Sequence, residues 1–282
     1  MQVKILSPLW GHEHLEYLVF LDKMKDAGYD GFDTWIPGDE NEKKVLFDYL
    51  QKNEMYIVTH QHQAEGKDFN EFKISFKKQL QQCAESNPIL INSHTGRDYF
   101  SFEQNLELID VAQEFSHKTG ITIAHETHRG RLGYSPQMLS EFFMTRNDFS
   151  ITADFSHWVC VTESMLENFS EIVEEAILRS KHIHARIGFE EGPQVPDPRA
   201  PEWNYVLDIF LGWWDKIIST NLEGGCKLMP ITTEFGPKPY MPTIPFSKLP
   251  VADQFDINCF MKDLLKARYA SSTELNSFLP AR

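Results

Sequence analysis

Four potential metal ligands lie at the ends of four apolar segments in the second half of the chain. The segments read ITIAHE up to Glu126, SITAD up to Asp154, HIH up to His184 and PITTE up to Glu234. If these are successive strands of a closed parallel sheet, their ends converge on one mouth. Three carboxylates at such close range repel one another strongly unless a cation lies among them. The pattern therefore predicts a divalent-metal site.

The donor types restrict which ion would bind there. Three carboxylates and one imidazole suit Mn²⁺, Mg²⁺ or Co²⁺, and Zn²⁺ is also compatible with them. His182 is a rival ligand, but we prefer His184 because it lies nearer the expected end of its strand. An acidic residue at one strand end is usually solvated or ion-paired, so the prediction depends on the coincidence of all four.

Other polar residues follow the same strand ends. His157 lies three residues after the second end and Arg186 two residues after the third, while His60 and His94 end two earlier apolar segments. We predict that these four contact a bound substrate. Further side chains near the mouth are His12, His14, His128, Arg129, Arg131, Trp10, Trp35 and Trp158, and the three tryptophans are candidates for the wall of a pocket. Ordinary packing in loops or the core explains each of these equally well when it is taken alone.

The elements that would position these residues alternate between strands and helices. Strands are predicted at Val3–Leu6, Gly31–Trp35, Tyr56–His60, Ile89–His94, Ile121–Glu126, Ser150–Asp154, His182–Arg186 and Pro230–Glu234. Helices are predicted at His14–Asp26, Glu42–Asn53, Asn70–Glu85, Glu103–Thr119, Pro136–Thr145, Met165–Arg179, Asn204–Thr220 and Asp253–Tyr269. An eight-stranded α/β barrel needs roughly 250 residues, and the chain has 282. We therefore predict one (β/α)₈ TIM-barrel domain over residues 1–282. A GxGxxG motif after the first strand would indicate a nucleotide-binding open sheet instead, and the sequence has none there.

Two proline-rich segments follow the last two predicted strands, at residues 188–201 and 236–250. Loops of this length without a helical pattern are usually functional in compact domains. In a barrel they would rise over the carboxyl ends of the strands, where active sites form. A contact between subunits is an equal alternative for the second segment, and a homo-oligomer is compatible with both.

Composition excludes several classes of protein. The net charge of −14 opposes general binding of nucleic acid, although a local basic pocket could override this effect. The longest apolar runs have the length of a strand, and no secretory leader precedes the first one, which predicts a cytoplasmic protein without a membrane partner. The four cysteines are widely separated and form no CxxC pair, so reduced thiols are expected.

Together, these motifs resemble the xylose-isomerase-like TIM barrels, a superfamily of ketose epimerases, hexose isomerases, inosose dehydratases and type IV apurinic endonucleases. The order Glu, Asp-x-x-His, His, Glu on successive strands carries the resemblance, and the run GYDGFD at residues 28–33 is also typical of it. The resemblance implies that Glu126, Asp154, His184 and Glu234 hold one metal ion against two adjacent oxygens of a sugar. It further implies that Glu126 and Glu234 exchange a proton through an enediolate, while His157 and Arg186 hold substrate oxygens.

The resemblance leaves two enzyme classes open. We predict a metal-dependent isomerase or epimerase acting on a small sugar, sugar acid or sugar phosphate. The alternative is a phosphoester hydrolase like the type IV endonucleases, which use up to three zinc ions with extra histidines on the third and fourth strands and an Asp-x-His motif after the seventh. This chain offers His60, His94, His157 and Asp197, but Arg199 stands where the last histidine should be. A non-catalytic binding module on the same scaffold is a third hypothesis.

Overall fold

The computed structural model describes residues 1–270 and contains eight parallel strands that close into a barrel. The strands are β1 (Gln2–Pro8), β2 (Gly31–Thr34), β3 (Tyr56–Gln61), β4 (Ile91–Ser93), β5 (Ile123–Glu126), β6 (Ser150–Ala153), β7 (Ser180–Ala185) and β8 (Leu228–Thr233). Each strand pairs with the next along the chain, and β8 pairs with β1 to close the sheet. The predicted (β/α)₈ barrel is confirmed.

Helices surround the barrel on its outer side. Their bounds are α1 (Tyr17–Asp26), α2 (Glu40–Asn53), α3 (Phe69–Ala84), α4 (Phe102–Thr119), α5 (Pro136–Thr145), α6 (Phe155–Thr162), α7 (Ser170–Arg179), α8 (Asn204–Glu223) and α9 (Gln254–Tyr269). Several begin at a side chain that satisfies a free backbone amide, as Asp39 does for α2 and Ser101 for α4. Gly120 ends α4 in the left-handed conformation, which glycine adopts without steric cost. Within residues 1–270 no helix has the length and apolar character needed to cross a membrane.

The predicted helices differ from the structure most at α6 and α7. The helix expected at Met165–Arg179 begins only at Ser170, because Leu166 adopts a left-handed backbone (φ 65°) and a short 3₁₀ turn follows it. Helix α6 was not predicted at all. The first five residues of its sequence FSHWVCVT are all buried. The alternation of an apolar and a solvent-facing side, by which a surface helix is identified in a sequence, is therefore missing. The carboxylate of Asp154 accepts the amide of Ser156 and so caps the start of α6.

A layer of aromatic and aliphatic side chains fills the space between the strands and the helices. Phe20, Phe32, Phe142, Phe210 and Trp214 are among its members, and each is at most 1% exposed. Burial of a side chain of this size contributes on the order of 1.5–3 kcal/mol to folding. This layer supplies the apolar core that holds the barrel closed.

The interior of the barrel is polar where the last strands approach β2. A chain of hydrogen bonds runs from Thr152 on β6 to His182 on β7, then to Thr232 on β8 and on to Asp33 on β2. Strands β8 and β2 are not neighbours in the sheet, so the bond from Thr232 to Asp33 (2.9 Å) crosses the interior. This chain of bonds lies beneath the residues at the mouth of the barrel and links four of its strands.

Candidate metal centre

The structure brings the four predicted metal ligands together at the carboxyl ends of β5 to β8. Glu126, Asp154, His184 and Glu234 each offer one ligand atom, and these atoms all lie within 4.8 Å of one another. All four side chains are buried. Because the strands are parallel and consecutive, their ends deliver one residue each to the same point, as the sequence pattern predicts. That they bind an ion remains a prediction.

Three ligand atoms of this tetrad have no hydrogen-bond partner. The Nδ1 atom of His184 lies 2.8 Å from Oε2 of Glu234 and 3.6 Å from Oε1 of Glu126, yet none of these three buried atoms makes a hydrogen bond. Buried polar atoms almost always have a partner. A cation between them would satisfy all three at once, and one imidazole with carboxylates is a suitable donor set for Mn²⁺, Mg²⁺, Co²⁺ or Zn²⁺. The residues present therefore fit a divalent ion.

Burial and mutual repulsion shift the pKa values of two members of the tetrad. Burial by itself would lower the pKa of His184, but the carboxylates of Glu234 and Glu126 hold that pKa well above its usual range. Burial raises the pKa of Asp154 to about 7, and the nearby Glu234 and Glu126 act in the same direction against the charge of Arg186. Both shifts favour the protonated form of the group, which is the response expected where carboxylates are crowded together.

Asp33, which no pattern in the sequence singles out, contacts the other ring nitrogen of His184. Its Oδ2 atom lies 3.0 Å from Nε2 of His184 and accepts a hydrogen bond from Thr232. A histidine that binds a metal ion usually donates its second ring N–H to a carboxylate in this way, which fixes the tautomer and the ring orientation. Asp33 therefore directs Nδ1 of His184 toward the tetrad.

His182, the rival ligand, lies among the hydroxyl groups inside the barrel. Its Nε2 atom is 2.8 Å from the hydroxyl of Thr232, and its Nδ1 atom is 3.3 Å from that of Thr152. His182 does come near Asp33 and His184 as a second possible ligand group. Because both of its ring nitrogens already have hydroxyl partners, we favour His184 as the ligand.

A second group of donors shares Glu126 with the tetrad. The Nε2 atoms of His94 and His60 lie 3.0 Å and 3.6 Å from Oε2 of Glu126, and neither makes a hydrogen bond. Burial lowers the pKa of His94 to about 3 and the pKa of His60 well below its usual range. Neutral imidazoles are the form that binds metal ions, so this group is also able to hold a cation.

Arg186 and His157 pack against the far side of the tetrad. The Nη2 atom of Arg186 contacts Asp154 and lies 2.8 Å from Nε2 of His157, and both side chains are buried. Ser156 also donates its amide to Asp154. Arg186, His60 and His94 line a cavity at the mouth of the barrel, whereas His157 does not reach this cavity. Of the four predicted substrate contacts, three thus face the cavity and one supports Arg186.

Asp197 and Arg199 pair with each other. Two hydrogen bonds of 2.8 and 2.7 Å join the guanidinium to the carboxylate, and Asp197 belongs to no potential ligand group within residues 1–270. The third zinc site of the hydrolase alternative is therefore not formed among the described residues. The guanidinium of Arg199 neutralises the carboxylate of Asp197 at the position where the hydrolase pattern has a histidine.

The cavity at the mouth of the barrel reveals further residues. Its walls are formed by Pro8, Trp10, Asp33, Trp35, His60, His62, His94, His128, His184, Arg186, Thr232 and Glu234. The predicted wall residues Trp10 and Trp35 are confirmed in that position. Trp158 is not a wall residue, because it stacks on Phe155 and donates its indole N–H to Gly133. His12 lies in a separate pocket, against Phe20 and Phe255.

Histidines form a continuous row along one wall of this cavity. The ring of His94 lies 4.5 Å from that of His60 and 4.4 Å from that of His128, and His60 is 5.0 Å from His62. His62 was missed in the sequence, although it lies two residues after His60 and therefore on the same side of the chain. Burial lowers the pKa of His128 to about 3. The row therefore presents neutral imidazoles.

Comparisons with known proteins bear on the fold. No protein-family model matches the sequence, and no curated protein matches it at significant similarity. The solved structure of a D-tagatose 3-epimerase-like protein matches with a TM-score of 0.64 and 16% identity, over 96% of this chain and 99% of that one. The apo form of a 3-keto-D-glucoside 4-epimerase from E. coli matches with a TM-score of 0.65 and 13% identity, over 94% of this chain and all (100%) of that one.

An endonuclease has a similar fold as well. Endonuclease IV from Thermus thermophilus matches with a TM-score of 0.54 and 10% identity, over 95% of this chain and 98% of that one. These likenesses confirm the fold expected from the resemblance to xylose-isomerase-like TIM barrels. Since epimerases and an endonuclease share it, the fold does not decide the reaction, which has to be argued from the site.

Proposed function

We propose that this protein is a divalent-metal-dependent isomerase or epimerase of a small sugar or sugar derivative. The observation that carries the proposal is the convergence of three buried, unpartnered ligand atoms from Glu126, His184 and Glu234. With Asp154 they would hold one divalent ion. Such an ion would polarise a carbonyl group of the substrate and stabilise the negative charge that develops on its oxygen.

The two glutamates would move the proton. Removal of a proton beside a carbonyl group needs a positioned base in its ionised form. Burial opposes ionisation of Glu126, but the neighbouring His94 and His184 hold its pKa well below the usual range, so it is in the ionised form that a base requires. Glu234 approaches His184 from the neighbouring strand β8. A substrate carbon between the two carboxylates would lose its proton to one and regain a proton from the other.

The size of the cavity favours a small substrate. Its free volume is about 160 Å³, which lies below the roughly 300–1,000 Å³ of pockets for drug-sized ligands. A single sugar unit suits such a space better than a segment of a polymer. The two tryptophans Trp10 and Trp35 give it apolar walls on which a sugar ring could pack.

The second candidate function is hydrolysis of a phosphoester with two metal ions. The group formed by His60, His94 and Glu126 favours it, because these residues would hold a second cation beside the one at the tetrad. The ion pair between Asp197 and Arg199 counts against a third ion. The net charge of −14 also opposes a nucleic-acid substrate.

Metal analysis combined with isotope exchange separates the two functions. We expect about one Mn, Co or Mg per chain after purification without chelators, and metal-dependent incorporation of solvent deuterium into a ketose substrate. Replacement of both His60 and His94 by Ala should leave the metal content unchanged if only the tetrad binds an ion. Two zinc ions per chain, one of which is lost in that double variant, would instead support the hydrolase.

A further inference from the structure

The arginines of this protein divide into two groups by their partners. Eight arginines lie within residues 1–270. Five of them form ion pairs with a carboxylate, namely Arg146, Arg179, Arg186, Arg199 and Arg268. The other three, Arg97, Arg129 and Arg131, have no carboxylate within 4.0 Å among the described residues. All three follow the ends of β4 and β5, on one side of the mouth of the barrel.

Arg129 has a different kind of partner. Its guanidinium lies 5.1 Å from the centre of the Tyr240 ring, a distance typical of a cation–π contact. Arg97 also lies over a ring, with its guanidinium 4.6 Å from the centre of Phe72, whereas Arg131 has neither kind of partner among the described residues. We consider Arg97 and Arg131 together because the charge of Arg97 acts on Arg131. The Nε atom of Arg131 is buried and makes no hydrogen bond, and its one hydrogen bond from the guanidinium goes to the backbone of Gly130. Arg97 donates only to the backbone of Gly96 and Ala64.

The backbone holds these two side chains near each other and near the cavity. The amide of Leu132 donates to Thr95, which ties the loop after β5 to the loop after β4. The amide of Arg131 donates to His128, a wall residue of the cavity. Burial lowers the pKa of Arg131, and the charge of Arg97 lowers it further. The two cations therefore repel each other in a partly desolvated position, and the carboxylates of Glu126 and Asp98 act in the opposite direction without cancelling the shift. An anion between the two arginines would relieve the repulsion.

The charge of Arg131 also reaches the histidine wall of the cavity. Burial lowers the pKa of His62, and Arg131 contributes to the same shift. Arg131 thus acts on His62 and is hydrogen-bonded to His128, both of which line the cavity, although neither arginine itself forms part of the cavity wall. A ligand that reaches from the tetrad past this row would meet the two arginines with its far end.

We propose that Arg97 and Arg131 form a binding site for the anionic group of the substrate, a phosphate or a carboxylate. Guanidinium groups bind both through paired, charge-assisted hydrogen bonds. The substrate would then be a sugar phosphate or a sugar acid, with its reacting carbons at the tetrad and its anionic group at the arginine pair. This assignment of substrate class rests on the proposed isomerase function, whereas the anion site itself does not.

The site can be tested by NMR on the intact protein saturated with Mg²⁺. Inorganic phosphate and, separately, acetate are titrated at constant ionic strength while the arginine Nε–H signals are followed, with assignments from Arg97→Lys and Arg131→Lys. We expect the signals of Arg97 and Arg131 to move and saturate, while those of the ion-paired Arg146 and Arg268 stay in place. Saturation by phosphate at lower concentration than by acetate assigns a phosphate, and the reverse order assigns a carboxylate.

A matched pair of variants completes the test. Arg131→Gln should weaken the binding of the preferred anion by about tenfold, since it removes a charged hydrogen-bond donor, whereas Arg146→Gln should leave it unchanged. The proposal is overturned if neither anion moves the signals of Arg97 and Arg131, if only Arg186 at the tetrad responds, or if Arg131→Gln binds as tightly as the wild type. Turnover is not part of the readout, so absence of isomerase activity with an intact anion site would count only against the proposed function.

Discussion

The mouth of the barrel and the layer between strands and helices differ in how their buried groups are satisfied. In the layer, side chains such as Phe142 and Trp214 are apolar and closely packed. At the mouth, buried polar atoms of Glu126, His184 and Glu234 lack hydrogen-bond partners. Almost all the unpartnered buried atoms within residues 1–270 belong to the mouth, with Tyr17 and His125 as exceptions. Stability and chemistry therefore reside in separate parts of the molecule.

Because the two regions are separate, the protein can fold although the unpaired polar groups of the site destabilise the folded state. Unpaired buried polar groups each cost about 1–3 kcal/mol, and the aromatic layer must offset that cost. The carboxylate and imidazole atoms at the mouth are, however, already arranged to bind a cation. Substitutions at the mouth should therefore change turnover or metal affinity, and substitutions in the layer should change the free energy of unfolding.

The largest expected effect is on turnover, at the mouth. Glu126→Gln removes the proposed base while keeping the size of the side chain, so turnover at saturating metal should fall by about 10²–10⁴-fold. Thermal unfolding should still be cooperative. Steady-state kinetics with a responsive ketose, beside Glu163→Gln as a surface control, measures the effect. Undiminished turnover in Glu126→Gln would remove Glu126 from the proton transfer.

The next largest effect is expected on stability, in the layer between the strands and the helices. Phe142 is fully buried and stacks on Phe102 at 4.7 Å. Phe142→Ala should lower the free energy of unfolding by about 3–5 kcal/mol because it leaves a cavity, and Phe142→Leu should cost less. Urea unfolding measures the loss. The metal affinity of the folded fraction should not change, and a parallel loss of affinity would contradict the separation of the two regions.

A smaller effect is expected from the carboxylate behind His184. Asp33→Ala should weaken metal binding by about 10–100-fold, the usual consequence of removing such a partner. Asp33→Asn keeps an oxygen that can accept the N–H of His184, so it should retain more affinity. Calorimetric titration with Mn²⁺ compares the variants. Equal affinity in wild type and Asp33→Ala would show that the tautomer of His184 does not depend on Asp33.

The smallest effect is a dependence of stability on pH. Burial lowers the pKa of His125 to about 3 in the folded protein, whereas the unfolded chain has a value of about 6.5. Below pH 6.5 the unfolded state binds a proton that the folded state does not, so stability is complete above pH 6.5 and falls as pH decreases. The contribution of this residue is about 1 kcal/mol per pH unit. Urea unfolding at pH 6.5 and 5.5 should show a smaller loss in His125→Gln than in wild type.

The sequence was sufficient for the barrel and for the four residues of the tetrad. Strand ends such as Ala153 followed by Asp154 are visible as an apolar run with a terminal acid, and parallel strands bring such ends together. Asp33 was not selected, because its contact with His184 spans the interior of the barrel between residues 151 positions apart. Nor could the sequence distinguish Arg131 from the arginines that form ion pairs, since partners depend on how the loops fold.

The double role of Asp154 links the metal centre to the backbone. One oxygen of this carboxylate accepts the amide and the hydroxyl of Ser156 at the start of α6, and the same side chain belongs to the tetrad. Binding of an ion should therefore steady the start of that helix, and its removal should allow local opening there. Amide hydrogen exchange over residues 155–162 would then be slower in the loaded protein, so that one short segment of the backbone records whether the centre is filled.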